Sequence, residues 1–539
     1  MRQCIDDDHV LSRGDNATSV LVVGGGLAGL SAAMFLAWQG VPTVLVERRM
    51  ESSPHPRAIG FTPRTMELFR AVGLGTRIPQ VPAGFRLRRA RVESLAGEWF
   101  EEAPSWNPAE AESPKPECSP CTGGALAQDR LEPILQERAM ACGADIRRGT
   151  ELVSFIQDET GVTACLRAQD GREYTLHAAY MIAADGHRSP IRESLRIARK
   201  GRGHLRTMRS VLFRAPLDAY LEKGVMQFEI DQPDLKAFLT TYADGRWVLM
   251  FSDDVVRDEA MLRTLIAQAI GRSDLDIEII TAGRWELSAL IADRFASGRI
   301  FLAGDAAHTL PPSRGGYGAN TGIQDTHNLA WKLAAVLSGQ SASRLLDSYD
   351  AERRPTAWLR HDQIFARPDY KAQAGPTAAE TPIIDDDAME FGQLYRSNAV
   401  IGADATLPPA LRPEAWAGQP GTRAPHLWVT IAGKPVSTLD LLRSRWTLLA
   451  ADDRWRAAAS AAGEALGIAV ACVQLGVEPL PGDAVAVLVA FGLGRTGAAL
   501  IRPDGVIAWR STDSEAHPSE ALIRALGIVS AATRSKAAA

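Results

Sequence analysis

Two short runs in this sequence have residue types suited to gripping a charged, hydroxyl-rich ligand, and they lie far apart. Gly24-Gly25-Gly26-Leu27-Ala28-Gly29 follows an apolar strand pattern, Val20-Leu-Val-Val23, and opens a helical one, Leu30 to Trp38. Glycine at Gly24, Gly26 and Gly29 permits a tight turn, lets backbone approach a pyrophosphate, and allows the helix to pack closely on the strand. The next strand pattern, Thr43 to Val46, ends at Glu47, where a carboxylate can accept ribose hydroxyls. The second run, Gly304-Asp305-Ala306-Ala307-His308, is entered from Arg299-Ile-Phe-Leu-Ala303 and followed by Pro311-Pro312. It places an acid at a strand end, in the crevice where α/β sheets bind ligands; the alternative is an Asp that caps the next helix. One ligand held by both runs must be as large as a dinucleotide.

Other candidates carry less. Gly492-Leu493-Gly494-Arg495-Thr496-Gly497 has the same glycine spacing but runs into Ala498-Ala-Leu-Ile-Arg502, a strand pattern, so no helix N-terminus is available for a phosphate. His308 is a lone histidine with no partner identifiable from sequence and reads as structural. Among the six cysteines, Cys118-Ser-Pro-Cys121 alone resembles a redox or metal pair, but it lacks a second pair or a histidine cluster and reads as a proline-bearing loop. No metal site is expected.

The elements that must position these residues follow from length and patterning. A chain of 539 residues exceeds one core, and 46% apolar with 23% charged residues is ordinary for a globular protein. The 59 basic and 64 acidic residues nearly cancel, to a net charge of -5, so no nucleic-acid footprint is expected. The N-terminus lacks a signal-peptide pattern, and glycines and Pro42 interrupt the apolar stretch from Val20 to Val46, so a cytoplasmic protein without a membrane span is expected. Residues 20–47 read as a βαβ unit and Gln128 to Met140 as a helix. Short strands about an Asp170-Gly171 turn lead to Ala184-Asp185-Gly186, and 205–285 alternate as a separate sheet, with a hairpin over Phe238 to Phe251 about Asp244-Gly245. After Asn320, helical patterns run to Leu337 and then to Arg354; beyond them, strands are expected at Trp446 to Ala450, Ala484 to Ala490, Ala498 to Arg502 and Val506 to Trp509, with a helix near 454–466.

Taken together, these residues resemble the class A flavoprotein monooxygenases, the p-hydroxybenzoate hydroxylase-like aromatic hydroxylases, and among them the polyketide hydroxylases typified by aklavinone hydroxylase. The resemblance spans nearly the whole chain. It rests on the glycine turn, Pro56-Arg57-Ala58 with Pro63-Arg-Thr-Met-Glu67, Gln128-Asp-Arg-Leu-Glu132, Asp185-Gly186 with Arg188-Ser189, the Asp305 run, Asp325-Thr-His-Asn-Leu-Ala-Trp-Lys332 and Asp347-Ser-Tyr-Asp-Ala-Glu-Arg353.

The resemblance implies an α/β fold: a Rossmann-like FAD-binding domain from 1–83, 112–200 and 286–400, a substrate-binding sheet domain from 84–111 and 201–285, a linker over 401–425, and a thioredoxin-like domain over 426–539. The last holds only Cys472 and no Cys-x-x-Cys, so a structural or oligomerisation role is expected, with a homodimer left open. FAD would be held by Gly24, Gly26, Leu27, Ala28, Gly29, Glu47, Arg48, Arg57, Gln128, Leu152, Asp185 and Asp305, with Pro312, Gly318, Ala319 and Asn320 bordering the isoalloxazine. A helix beginning near Asn320 would aim its positive dipole at the flavin. The segment Ser313 to Asn320 is one residue longer than the family pattern, and Arg314 in it would face substrate or nicotinamide cofactor. Phe228, Tyr242, Trp247, Arg314 and Tyr317 are the substrate candidates; no catalytic residue is identified. The implied reaction is hydroxylation of a phenolic or fused-ring aromatic through a flavin C4a hydroperoxide, with NADPH or NADH as reductant and O₂ as co-substrate. The same fold can instead insert oxygen beside a ketone, and a flavin-binding protein without oxygenase activity is the third reading; halogenation is disfavoured because no Trp-x-Trp-x-Ile-Pro run is present.

Overall fold

The computed structural model describes residues 17–55, 58–85, 87–104, 116–312, 316–367, 370, 381–442, 444–475 and 483–533. Arg57 and Arg314, both expected at the site, lie outside the described residues.

The first sheet is built on apolar strands whose central residues are buried. Ala17–Val23 runs parallel to Thr43–Glu47 on one side and to Glu173–Ala183 on the other. Ile300–Leu302 and Asp145–Arg148 extend this parallel sheet at its two sides, and Glu151–Gln157 with Val162–Arg167 add an antiparallel flap. Val20, Leu21 and Val22 are wholly buried, as strands covered on both faces must be. The helices α1 (Leu27–Trp38), α2 (Pro63–Ala71) and α3 (Gln128–Ala141) follow in chain order. α1 is buried on nearly every side, because it lies on the sheet with α3 beside it and a later helix across it. The short helix α4 (Pro190–Ser194) leads out of this unit.

The second sheet has eight strands, in the order His308–Thr309, Glu278–Ala292, Arg199–Arg214, Arg246–Phe251, Lys236–Thr241, Gln227–Asp231, Arg88–Val92 and Trp99–Pro104. α5 (Glu259–Ile270) covers one face: Leu262, Ile266, Ala269 and Ile270, at helical spacing, pack on Val211, Phe213, Trp247 and Leu249. Asp258 caps its N-terminus through the Met261 N–H at 2.8 Å, and Gly271 ends it with φ +81°. The opposite, inner face looks back at the first unit. There Arg246 forms an ion pair with Asp129 of α3 at 2.7 Å, and Ser210 Oγ meets His55 Nε2 at 2.8 Å.

α6 (Tyr317–Leu337) and α7 (Asp347–Ala366) return to the first unit. α6 starts at Tyr317, three residues before the expected Asn320, because Gly316 at φ +57° turns the chain into the helix. A final four-stranded sheet runs Val470–Gln474, Trp446–Ala450, Ala498–Ile501, Ile507–Ser511, with only its first two strands parallel. Helices Arg454–Leu466 and Pro518–Val529 pack together on it. Ala484–Ala490, expected as a strand, is a helix with Val487 buried and Val485 and Val489 exposed; a seven-residue apolar run does not distinguish the two states. The 401–425 segment is not a free linker: Trp416 Nε1 donates to the Gly392 carbonyl at 2.7 Å, and Gly421 N–H to that of Ile507 at 2.8 Å.

Candidate functional site

The glycine turn leaves the N-terminus of α1 bare. Gly24 has φ +111°, and a Cβ there would stand 2.2 Å from the Ala184 carbonyl oxygen; one on Gly29 would stand 1.8 Å from that of Gly24. Those two glycines are demanded by close approach of backbone to backbone. Gly26 differs: a Cβ there would meet nothing within 4 Å, no side chain caps the helix, and its first turn contains no acid. An open helix end with unclaimed N–H groups suits a phosphate. Glu47, at the end of the second strand, accepts the Gly25 N–H at 2.6 Å and the Arg49 N–H at 2.9 Å, which leaves lone pairs on both oxygens. Arg48 is exposed beside it, and Leu152 packs partly buried against the same core, two residues past Thr150, whose N–H bonds the Glu47 carbonyl at 3.0 Å.

The Asp305 run reaches this helix end in space. Gly304, at φ +60°, lies so near α1 that its Cβ would stand 2.8 Å from Ala28 Cβ, and a Cβ on Gly322 of α6 would stand 2.9 Å from Gly304 Cα. Asp305, half-buried at this crossing, makes no side-chain hydrogen bond or ion pair with the described residues. Beneath the turn, Asp325 of α6 takes His308 Nε2 at 2.7 Å and the Gly304 N–H at 3.3 Å on one oxygen, and Arg353 Nε at 2.8 Å on the other. Arg353 also donates to the Tyr395 hydroxyl at 2.7 Å. Burial alone would raise the Asp325 pKa, but the charges of His308 and Arg353 hold it below the usual range. His308 therefore has a partner that sequence inspection missed, and its place is to brace the turn.

The Asp185 loop is fastened to the same turn. Arg192, 2% exposed, donates to the carbonyls of His187 at 3.2 Å, Arg188 at 2.7 Å and Ala306 at 3.1 Å, bridging the two loops. Asp185 Oδ2 accepts the Ile191 N–H at 3.1 Å, whereas Oδ1 is buried without a partner, and burial raises its pKa. Gln128 opens α3, its N–H bonding the Ala58 carbonyl at 2.8 Å and its side chain Glu132 at 2.8 Å. Pro312 is exposed, its carbonyl accepting from the Tyr370 hydroxyl at 2.7 Å. Gly318 and Ala319 lie half-buried in the first turn of α6. Asn320 is turned inward: its Oδ1 accepts from Thr65 Oγ1 at 2.6 Å and the Thr62 N–H at 3.1 Å, while Nδ2 donates to Gly316 O at 2.7 Å. That side chain staples α6 to α2 and offers a ligand only its backbone.

Two substrate candidates are corrected. Phe228 and Trp247 are wholly buried in the core beneath α5, their rings 6.3 Å apart. Strand alternation puts them on the outer face, whereas Arg246 and Val248 look toward the first unit. Tyr242 stands half-buried at the hairpin end of the sheet, under the Arg246 guanidinium at 5.2 Å, and burial raises its phenol pKa. Tyr317 lies at the opposite end, packed with Ala289 and Phe365; its hydroxyl accepts from Arg367 at 3.1 Å, and burial pushes its pKa up to about 12. Two of the aromatics named as substrate candidates thus belong to the core, and the bracing roles of Arg192, Asp325 and Arg353 were not read from the sequence. Cys118 and Cys121 have thiol pKa values pushed up by burial to about 11, which removes the reactive thiolate a redox pair needs. At Gly492 to Gly497 the chain passes directly into the Ala498–Ile501 strand, without a helix.

Known proteins share this fold. A family model described as an FAD binding domain matches residues 17–363, and one described as the C-terminal domain of aromatic-ring hydroxylases matches 417–529. Aklavinone 12-hydroxylase RdmE of Streptomyces purpurascens is 39% identical, covering 94% of this chain and 98% of its own. A 4-methyl-5-nitrocatechol 5-monooxygenase from Burkholderia sp. is also 39% identical, over 96% and 98%. The crystal structure of aklavinone-11 hydroxylase with FAD and aklavinone superimposes with a TM-score of 0.86 at 38% identity, covering 95% of this chain and 99% of that one.

Proposed function

The chain belongs to the FAD-dependent aromatic-ring hydroxylases, and from that premise we propose that it uses NAD(P)H and O₂ to hydroxylate a phenolic, fused-ring aromatic of polyketide type. One observation carries the reading of the cofactor site: the bare α1 N-terminus at Gly26 and the carboxylate of Asp305, unpartnered among the described residues, lie at one crossing, where Gly304 touches Ala28. The buried, unpartnered Asp185 Oδ1 beside them fits a ligand that brings hydroxyl or amide donors.

In this reading the α1 N-terminus takes the pyrophosphate, Glu47 the adenosine ribose, and Asp305 a ribityl hydroxyl. The first turn of α6, Tyr317 to Asn320, presents backbone N–H groups and positive dipole to the flavin's pyrimidine edge, which favours negative charge there. When bound, FAD would supply the oxygen activation, with NAD(P)H as its source of electrons. The protein's remaining tasks are to orient the aromatic ring against the inner face of the middle sheet and to exclude water. We read the C-terminal unit as thioredoxin-like from its strand order and its two packed helices; holding Cys472 alone, it supports no dithiol chemistry.

The test is a screen of FAD-loaded protein for NADPH oxidation stimulated by tricyclic and tetracyclic phenols, with products identified by mass and NMR. A new ring hydroxyl is expected. A lactone without one would replace hydroxylation by Baeyer–Villiger insertion. Absence of stimulated oxidation across the panel would leave a flavin-binding protein without oxygenase activity.

A further inference from the structure

Resting on the phenol-hydroxylase reading above, we propose that the indole N–H of Trp285 and the guanidinium of Arg206 form the donor pair that holds the substrate's phenolic oxygen as phenolate. Both lie on the inner face of the middle sheet. Arg206 pairs with Leu287, Met208 with Trp285 and Ser210 with Gly283, without a register break from Arg206 to Leu212, so all six residues share one face.

That face is anchored at two places by the first unit. His55, from the loop after Glu47, bonds Ser210 at 2.8 Å and fills the gap left by Gly283, whose Cβ would stand 3.0 Å from His55 Cδ2. At the other end Ala289, two residues beyond Leu287, packs with Tyr317 at the start of α6. The stretch carrying Trp285 therefore looks at the region between the His55 loop and the α6 N-terminus, where the ring of a substrate must lie if α6 faces the flavin.

Among the described residues, Trp285 Nε1 and Arg206 Nε are both buried without a hydrogen-bond partner, and the remainder of the Arg206 fork reaches Ser252 Oγ at 3.5 Å. Two orphan donors at diagonal positions of one sheet face are an unfavourable arrangement that an acceptor oxygen relieves. Ser210 and Thr240 of the same face are paired, the first with His55 and the second with the Met226 carbonyl at 3.0 Å. The remaining orphan indole of this sheet, Trp247 Nε1, is sealed in the core under α5, where no ligand reaches.

The chemistry suits an anion. An indole N–H only donates, and a guanidinium donates with full positive charge, so the pair favours phenolate over phenol. The phenol proton leaves to bulk water before binding, and no base on the protein is required. Met208 and Leu287, buried between the two donors, present an apolar floor for the ring. On these strands Arg209 and Arg284 share Asp254 on the outer face, away from Arg206. The substrate class implied is a planar polycyclic phenol, bound by its ionised oxygen.

The test uses the FAD-loaded enzyme, 1,4-dihydroxyanthraquinone as a coloured phenol, and its dimethyl ether as a shape control. Wild type is expected to bind the phenol with a phenolate absorption band at a pH where the free compound is neutral. Trp285→Phe and Arg206→Gln are each expected to weaken that binding about tenfold and remove the band, with FAD content and ether binding retained. Unchanged phenol affinity and an intact band in both variants would overturn the proposal, as would equal loss of phenol and ether, which marks a packing role. Wild-type enzyme that binds neither compound and shows no phenol-stimulated NADPH oxidation would overturn the hydroxylase reading together with it.

Discussion

Arg502 and Glu352, 150 residues apart, meet as a fully buried fork, with hydrogen bonds of 2.6 and 3.0 Å. Arg502 follows a strand of the C-terminal sheet and Glu352 lies on α7, so the contact ties that sheet to the helices behind the cofactor site. Lys332 at 2.9 Å, Asn328 at 2.7 Å and Ser397 at 2.7 Å complete the carboxylate's shell, and Asp504 shares the guanidinium. Burial brings the Lys332 pKa down to about 8 against the pull of Glu352. Removing one partner of such a cluster leaves uncompensated charge out of water, which costs about 3–5 kcal/mol. Arg502→Met is therefore expected to lower the first thermal transition by several degrees, read by circular dichroism, while the FAD spectrum of the protein that remains folded is unchanged.

Acid should undo the same clusters. Glu67, Asp325 and Glu352 are all buried, and burial alone would raise them; their cationic partners hold each below its ordinary value of 4.5, 3.8 and 4.5 respectively. Because the folded values are depressed, the stability these groups contribute is fully present above about pH 4.5 and is lost as pH falls through the folded values. Denaturation midpoints are expected to be insensitive to these groups between pH 7 and pH 5 and to fall steeply below pH 4.5. Glu352→Gln should start lower and fall less steeply; an unchanged slope would remove Glu352 from the account.

The glycines of the turn separate folding from binding. Gly29→Ala puts a methyl into the Gly24 carbonyl and is expected to yield little folded protein. A methyl at Gly26 meets nothing, so Gly26→Ala should melt like wild type without FAD, yet bind FAD at least tenfold more weakly by flavin-fluorescence titration, because the methyl stands where pyrophosphate must approach. Equal FAD affinity in that variant would relocate the phosphate site.

Asp305→Ala removes a half-buried carboxylate that has no side-chain hydrogen bond or ion pair among the described residues. It should leave thermal stability of the apoprotein intact while giving colourless or weakly yellow protein, measured as the ratio of flavin to protein absorbance. Full flavin occupancy would count heavily against the ribityl assignment.

Local pattern made much of this legible. The Ala17–Glu47 unit, the start of α3 at Gln128, and the antiparallel pairing of Lys236–Thr241 with Arg246–Phe251 follow from periodicity and turn chemistry, which act within a few residues. What stayed hidden depends on which residues meet from afar. Strand alternation identifies two faces but not which one is covered by α5, so Phe228 and Trp247 looked equally suited to a ligand or a core. His308 looked solitary because its partner sits one helix further on, and the clamp of the Asn320 side chain on Thr62 and Thr65 was out of view because it spans 258 and 255 residues. The Ala484–Ala490 helix was lost to strand-like composition that packing against Val487 overrides.

The pairing of the first strand has a consequence for how the protein is made. Ala17–Val23 gains Thr43–Glu47 as a neighbour almost at once, but its other edge waits for Glu173–Ala183, and Ala28 has no Gly304 to rest against until later still. A nascent chain therefore leaves the ribosome with an apolar strand edge open over well over a hundred residues of synthesis, the condition under which chains pair with one another. If FAD is held by both the glycine turn and the Asp305 run, as proposed, its capture comes late in this sequence of events, and a chain truncated before α6 should be both colourless and prone to aggregate.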